Sequence, residues 1–267
     1  MIEVKRRVVR WLSLLAIFGV DIRKFYRSLK ALPRYFRDLR ALRSQLATTT
    51  HPFRISTYRP YLAERHAEGG SARGHYFWQD LLVAQRVFAN RPTRHIDIGS
   101  RIDGFVAHVA AFREIEIFDI RPVTIDIPNI RFSYCDLMAD LGGELIDSCD
   151  SLSCLHTIEH FGLGRYGDPI AADGYLRGLE NLYRILQKGG KFYFSVPIGG
   201  QRIEFNGQRV FSLEYLLELM GKRYQVDAFS YVDDAGDLYQ NVELTSQAIA
   251  TNCGCNYGCG IFEMTKL

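Results

Sequence analysis

From about residue 76 to the end of the chain, short apolar runs of strand length alternate with stretches of helical periodicity. This alternation restricts the possible folds more than any other feature. The strand-like runs are "RHIDIG", "EIEIFDI", "IRFSYCD", "SLSCL" and "GKFYFSVP", followed by "YQVDAFSYV" and "CGIFEMTK". Between them, "YFWQDLLVAQRVFAN", "GFVAHVAAF", "DGYLRGLENLYRILQ" and "SLEYLLELMG" fit helices. A strand followed by a helix must return across the sheet to the next strand, which makes the strands parallel and covers both faces with helices. The expected fold is therefore α/β, a doubly wound sheet.

In such a sheet the ligand sits beyond the carboxyl ends of the strands, beside the first one. The first strand ends in Asp97 and Gly99, the second in Asp119, the third in Asp136, and the fourth runs into His156, Glu159 and His160. The first turn, "DIGSRIDG", spaces its glycines G-x4-G and puts Ser100, Arg101 and Ile102 where a dinucleotide site needs further glycine. It also sets Asp97 near the place a pyrophosphate would occupy, which disfavours a nicotinamide cofactor. S-adenosylmethionine has no phosphate and carries a sulfonium and an ammonium, so an acidic first turn attracts it. Asp119, twenty positions after Gly99, stands where a carboxylate accepts both ribose hydroxyls, and Asp136 is placed for the adenine amino group.

"HIDIGSRIDG", the acid of "EIFDI", "SYCDL", and "LHTIEHFGLGRYGD" followed by "GLENLYRILQKGGKFYFSVP" together resemble class I S-adenosylmethionine-dependent methyltransferases over residues 90–200. More narrowly, "HTIEHFGLGRYGDP" with "RIEFNGQRVFS" is similar to a family of domains of unknown function, DUF268. The resemblance implies a Rossmann-like seven-stranded sheet and S-adenosylmethionine as cofactor. It also implies that Asp97, Gly99 and Ser100 line the methionine moiety, Asp119 the ribose and Asp136 the adenine.

Methyl transfer is an in-line displacement, so the protein has to align a nucleophile and accept its proton. His156 or His160 is the expected base, oriented by Glu159. "HTIEH" also matches H-x2-E-H, an inverted zinc-protease motif, but that motif needs a helix, and here it follows a strand and enters a glycine-rich loop. Cys253, Cys255 and Cys259 have no fourth thiolate at zinc spacing, so no metal is expected. Arg165, Tyr166, Arg202, Glu204, Asn206 and Arg209 offer charged and amide groups suited to a hydroxylated or anionic acceptor such as a sugar.

The N-terminus is different in kind. Residues 1–50 hold 12 Lys or Arg against 3 Asp or Glu, whereas the rest holds 21 against 27. Val4, Val8, Trp11, Leu12, Leu15, Phe18, Ile22, Phe25, Tyr26, Leu29 and Leu32 recur at helical spacing, with Arg23, Lys24, Arg27, Lys30, Arg34 and Arg37 on another face. The most apolar stretch, Trp11 to Val20, spans about 15 Å as a helix, half of what a bilayer core requires. Residues 1–46 thus read as a basic amphipathic helix for an anionic membrane surface or a partner protein, 47–75 as a connector and 76–267 as the α/β domain. The net-acidic body argues against a nucleic-acid partner. Cysteines lying in apolar runs point to a reducing, cytoplasmic setting, with the helix at the inner membrane face. The combined expectation is O-methylation of a saccharide or lipid-linked glycan precursor. The rivals are a non-catalytic scaffold that binds S-adenosylmethionine or a glycan, and an NAD-linked or nucleotide-sugar enzyme.

Overall fold

A computed structural model describes residues 19, 21–50, 52–62, 64, 69–124 and 126–267 of the chain. They fall into two units, Met1–Ser71 and Ala72–Leu267. In the first, α1 (Ile22–Thr48) begins at Asp21, whose carboxylate accepts the Lys24 amide at 2.9 Å, and continues through Pro33. An acidic cap satisfies a free N–H of the first turn, which is why the helix starts there. Phe25, Tyr26, Leu29 and Phe36 along it are exposed. The apolar positions from Val4 to Phe18 lie outside the described residues. No helix among the described residues is long and apolar enough to cross a membrane.

The second unit opens with α2 (His75–Asn90), then β1 (His95–Ile98). A π-helical turn (Ile102–Val106) leads into α3 (Ala107–Ala110), followed by β2 (Ile115–Asp119), β3 (Ile130–Tyr134) and β4 (Cys149–Leu155). Next come α4 (Gly174–Ile185), β5 (Leu186–Ile198), the short strands β6 (Arg202–Glu204) and β7 (Gln208–Val210), and α5 (Leu213–Met220). β8 (Tyr224–Val232), β9 (Leu238–Tyr239), α6 (Ser246–Thr251) and β10 (Gly258–Lys266) complete the unit. The main sheet has the order β3-β2-β1-β4-β5-β10-β8-β9. Strands β3 to β5 are parallel, and β10 runs antiparallel between β5 and β8. This is a Rossmann-like α/β fold. The order reverses at β1 and β4, so the cleft for a ligand opens between their carboxyl ends.

Burial follows the strand alternation. Phe192 and Phe194 point into one apolar layer with Ile96, Ile98 and Leu152, and Tyr193 between them points into the other with Phe105, Val109 and Leu155. Central strands covered on both faces need apolar residues at nearly every position, which explains runs such as "SLSCL".

Three local features depart from the sequence expectation. The sheet has eight strands, because the Asp233–Asp237 turn folds β9 back onto β8. Asp233 accepts the Ala235 and Asp237 amides in that turn, and the Tyr231 and Tyr239 rings stack at 4.8 Å across the added pair. "RIEFNGQRV" is a hairpin, closed by the Gly207 amide donating to the Glu204 carbonyl at 2.8 Å, with Asn206 left-handed at φ of 60°, a conformation that asparagine tolerates. Finally, helix gives way to strand at Leu186 without a separate turn. Leu186 pairs with Cys149 and Lys191 with Ser151, so the intervening residues bulge out and Gln187, Lys188 and Gly189 are exposed.

Candidate active site

A cleft of about 350 Å³ lies over the carboxyl ends of β1 to β4. Gly99, Ser100, Asp119, Arg121, Asp136, His156 and His160 line it from the strand ends, and Tyr76, Gln79 and Asp80 from α2. Arg165, Tyr166 and Asp168, from the loop after β4, line it as well. The volume falls within the range of small-ligand sites. Gly99 has φ of 69°, and a Cβ there would sit 2.5 Å from Thr157 Cγ2. Only glycine therefore lets the ends of β1 and β4 meet this closely.

Asp97 sits below the cleft rather than on its wall. It is fully buried, its Oδ2 accepts the Ser100 amide at 3.0 Å, and its Oδ1 accepts the hydroxyls of Ser100 at 2.9 Å and Ser153 at 2.5 Å. Burial pushes its pKa up to about 7 against those hydrogen bonds. Its observed work is to hold the first turn, since it is absent from the cleft lining. Asp119 is on the wall but engaged: the Arg121 guanidinium grips it through Nε at 3.0 Å and Nη2 at 2.5 Å. Nη2 of Arg121 also donates to the Gly99 carbonyl at 2.9 Å, and the guanidinium lies 4.6 Å from the Tyr166 ring centre. Asp136 accepts the Met138 amide through Oδ1 at 2.8 Å.

After β4 the chain turns sharply, and His156 takes φ of 50°. A left-handed conformation at a non-glycine residue is uncommon, and such positions cluster at functional sites. Its Nδ1 bonds Glu159 Oε1 at 2.6 Å, and Glu159 is wholly buried. Burial disfavours charge on His156, but Cys259 and Glu159 beside it raise its pKa to about 10. His160 differs. Its Nδ1–H donates to the Gly207 carbonyl at 2.7 Å, which leaves the lone pair on Nε2, and burial lowers its pKa. Glu159 is not itself part of the cleft lining.

The residues expected to meet an acceptor divide. Arg165 and Tyr166 line the cleft, and Arg165 also reaches the Gly207 carbonyl at 3.1 Å. Arg202, Glu204, Asn206 and Arg209 do not line it. Arg202 pairs with Glu204 at 2.8 Å along β6, and Asn206 forms the hairpin turn. Arg209 is buried, with its guanidinium donating to the carbonyls of Phe161 at 2.6 Å and Ala172 at 3.3 Å. Folding "RIEFNGQRV" into a hairpin directs these groups to one another and to nearby backbone. Conversely, Tyr76, Gln79 and Asp80 escaped the sequence reading, although two adjacent polar residues inside the apolar run "FWQDLLVA" signal a buried polar site. Asp80 is buried at the cleft wall, where desolvation pushes its pKa up to about 6.

The loop that carries Arg165 and Tyr166 hangs on Gly162. This residue has φ of 75°, and a Cβ would lie 1.9 Å from the Ala171 carbonyl oxygen. Gly162→Ala is expected to lower stability by about 2–3 kcal/mol and to loosen the loop, measurable by urea denaturation. A loss within about 0.5 kcal/mol would show that the loop absorbs the change.

The family described as "Caenorhabditis protein of unknown function, DUF268" matches residues 134–257. The match covers less than half of the chain. It spans β4 through β9 and α6, including the His156–His160 turn, the Gly162 loop and the β6–β7 hairpin. No curated protein matches the sequence. Among solved structures, the [4+2]-cyclase SpnF superposes with a TM-score of 0.51 at 15% identity, covering 74% of this chain and 85% of its own. A putative sarcosine dimethylglycine methyltransferase from Galdieria sulphuraria gives 0.49 at 12% identity, covering 71% and 84%. The Burkholderia thailandensis 1,6-didemethyltoxoflavin-N1-methyltransferase, solved with S-adenosylhomocysteine, gives 0.47 at 14% identity, covering 70% and 78%. At these identities the likeness is one of fold.

Proposed function

We propose that the chain is an S-adenosylmethionine-dependent methyltransferase that methylates a hydroxyl of a saccharide or lipid-linked glycan precursor. The observation that supports it most is the placing of carboxylates at the strand ends: Asp119 and Asp136 face the cleft with Asp80 opposite, and the first turn is built around a buried carboxylate. Arg101, Arg121 and Arg165 line the cleft too, so these carboxylates offer local acceptors for ribose, adenine and a cationic donor rather than setting the charge of the whole wall. When bound, S-adenosylmethionine supplies an electrophilic methyl group. The residues that would hold it are Gly99 and Ser100 at the first turn, Asp119 for the ribose and Asp136 for the adenine, with Asp97 bracing the turn from below.

On the acceptor side, His160 is the fittest proton acceptor, because its backbone hydrogen bond fixes the tautomer and burial keeps the ring neutral. Glu159 and His156 form the buried support behind it, and Arg165 and Tyr166 offer a planar cation and a ring to a hydroxylated ligand. Arg202, Glu204, Asn206 and Arg209 belong to the scaffold in this reading. The exposed rings and basic residues of α1 fit an anionic membrane surface at the cytoplasmic face, where lipid-linked glycans would be presented.

The grip of Arg121 on Asp119 favours a second reading, in which a closed donor site leaves a scaffold with this fold. Calorimetric titration of the full chain separates the two: saturable binding of S-adenosylmethionine and none of NAD is expected. Binding of NAD alone would overturn the assignment, and binding of neither would favour the scaffold.

A further inference from the structure

Three residues far apart in sequence meet behind the cleft. His75 is the first residue of α2, His156 follows β4, and Cys259 lies on β10. One ligand atom from each lies within 4.8 Å of the other two. The two imidazoles stack with their centres 5.1 Å apart and their planes 6° from parallel.

The decisive detail is the unused nitrogen of His156. Its side chain is 4% exposed, and its Nδ1 is fixed by Glu159 Oε1 at 2.6 Å. Its Nε2 is buried with no hydrogen-bond partner. An orphaned ring nitrogen in the interior costs about 1–3 kcal/mol, so its presence calls for a ligand. Cys259 is fully buried and in no disulfide; it lies beside the His156 ring, and its thiol otherwise reaches Gln79 Oε1 at 3.8 Å and the Gly260 carbonyl at 3.9 Å.

We propose that His75, His156 and Cys259 bind a zinc-type divalent transition metal ion, with Glu159 orienting His156 from behind. Two imidazoles and a thiolate are borderline-to-soft donors, which select zinc and its neighbours over magnesium or calcium. A carboxylate bonded to the far nitrogen of a histidine is the usual outer support of such a ligand. Tetrahedral zinc with bonds of about 2.0–2.3 Å brings its ligand atoms to within about 3.3–3.7 Å of one another. Closing the present spacing requires a shift of about 1 Å, and half-buried His75 at a helix start has the freedom to make it. Three protein ligands leave a fourth position for water or a reactant, and His156 opens onto the cleft.

Cys259, His156 and Glu159 also follow the order of a nucleophile, base and orienting acid. That alternative fails on access: Cys259 is fully buried and absent from the cleft lining, and it gives the stacked His75 no task. Binding of the ion needs Cys259 as a thiolate and His156 with a bare Nε2, so any proton held at either atom is released, and no redox change accompanies it. The inference does not depend on the methyl donor.

The test uses the full chain loaded with Zn2+ or Co2+ alone. One equivalent of zinc by elemental mass spectrometry is expected, together with a thiolate-to-cobalt charge-transfer band and the intense visible bands of a four-coordinate cobalt site. His75→Ala and Cys259→Ser should each weaken zinc binding by about 10-fold or more, and Cys259→Ser should erase the charge-transfer band. Cys253→Ser and Cys255→Ser should leave both unchanged. The wild-type cobalt spectrum decides the matter even where a variant misfolds, since absence of the charge-transfer band overturns the proposal. A band that disappears with Cys253→Ser or Cys255→Ser, rather than with Cys259→Ser, overturns it too.

Discussion

Asp119→Ala is expected to weaken S-adenosylmethionine binding by about 100-fold, while Arg121→Ala strengthens it by several-fold. The Asp119 carboxylate is the acid at the β2 end, and its side chain is only 10% exposed. Two ribose hydroxyls donating to a carboxylate in so enclosed a place contribute about 1.5–3 kcal/mol each, and every 1.4 kcal/mol is tenfold in affinity. Arg121 occupies the same oxygens and has to release them before a diol can replace it. Its own side chain is 39% exposed, so the ion pair is solvent-screened and the gain on removing it is modest. Unchanged affinity in Asp119→Ala would remove this residue from the donor site. Unchanged affinity in Arg121→Ala would show that the arginine moves aside without cost.

The second large effect concerns acidity. Asp97 alone is expected to make the fold less stable as pH rises from about 4 to about 7, after which its contribution levels off. Burial raises its folded pKa to about 7 from an ordinary value of 3.8, so across that window the native state holds a proton that the unfolded chain has released. Stability then falls with pH, by about 4 kcal/mol in all if the difference is fully expressed. Asp80, raised to about 6, acts in the same sense, whereas Asp150 and Asp233, held low by backbone hydrogen bonds, act oppositely. The comparison therefore has to be differential. Urea denaturation of wild type and Asp97→Asn at pH 4.5 and pH 8 should show the variant gaining several kcal/mol relative to wild type at the higher pH. A stability difference that stays constant between the two pH values would mean that Asp97 is ionised in the fold.

Much of the fold was legible because its rules are local and periodic. The boundaries of β8, Tyr224–Val232, coincide with "YQVDAFSYV", because a run buried on alternate sides and bounded by turn residues has one plausible reading. Strand-end residues were legible for a related reason: doubly wound topology fixes which end of each strand carries the ligand, so Asp119, Asp136, His156 and His160 could be placed at one edge without coordinates. Side-chain direction was not. Asp97 faces down into Ser153 and Arg209 faces inward to carbonyls, and neither outcome follows from sequence spacing. The His75, His156 and Cys259 cluster was hidden more deeply. Its members come from a helix start, a strand end and a strand interior, and motif spacing records only neighbours along the chain. The spacing near the C-terminus groups Cys259 with Cys253 and Cys255, whereas its neighbour in space, His156, is 103 positions upstream.

β10 also governs when the fold can be completed during synthesis. Residues 258–266 fill the gap between β5 and β8, pairing with both along nearly their whole length. Until that strand has left the ribosome, β5 and β8 each present an open hydrogen-bonding edge, and the two aromatic layers lack Ile261, Phe262 and Met264. A chain without residues 258–266 is therefore a sheet with two open borders, which invite pairing with other chains. Pairing β10 with β5 joins Gly258 to Ile198 and Thr265 to Lys191, contacts between distant parts of the chain of the kind that slow folding.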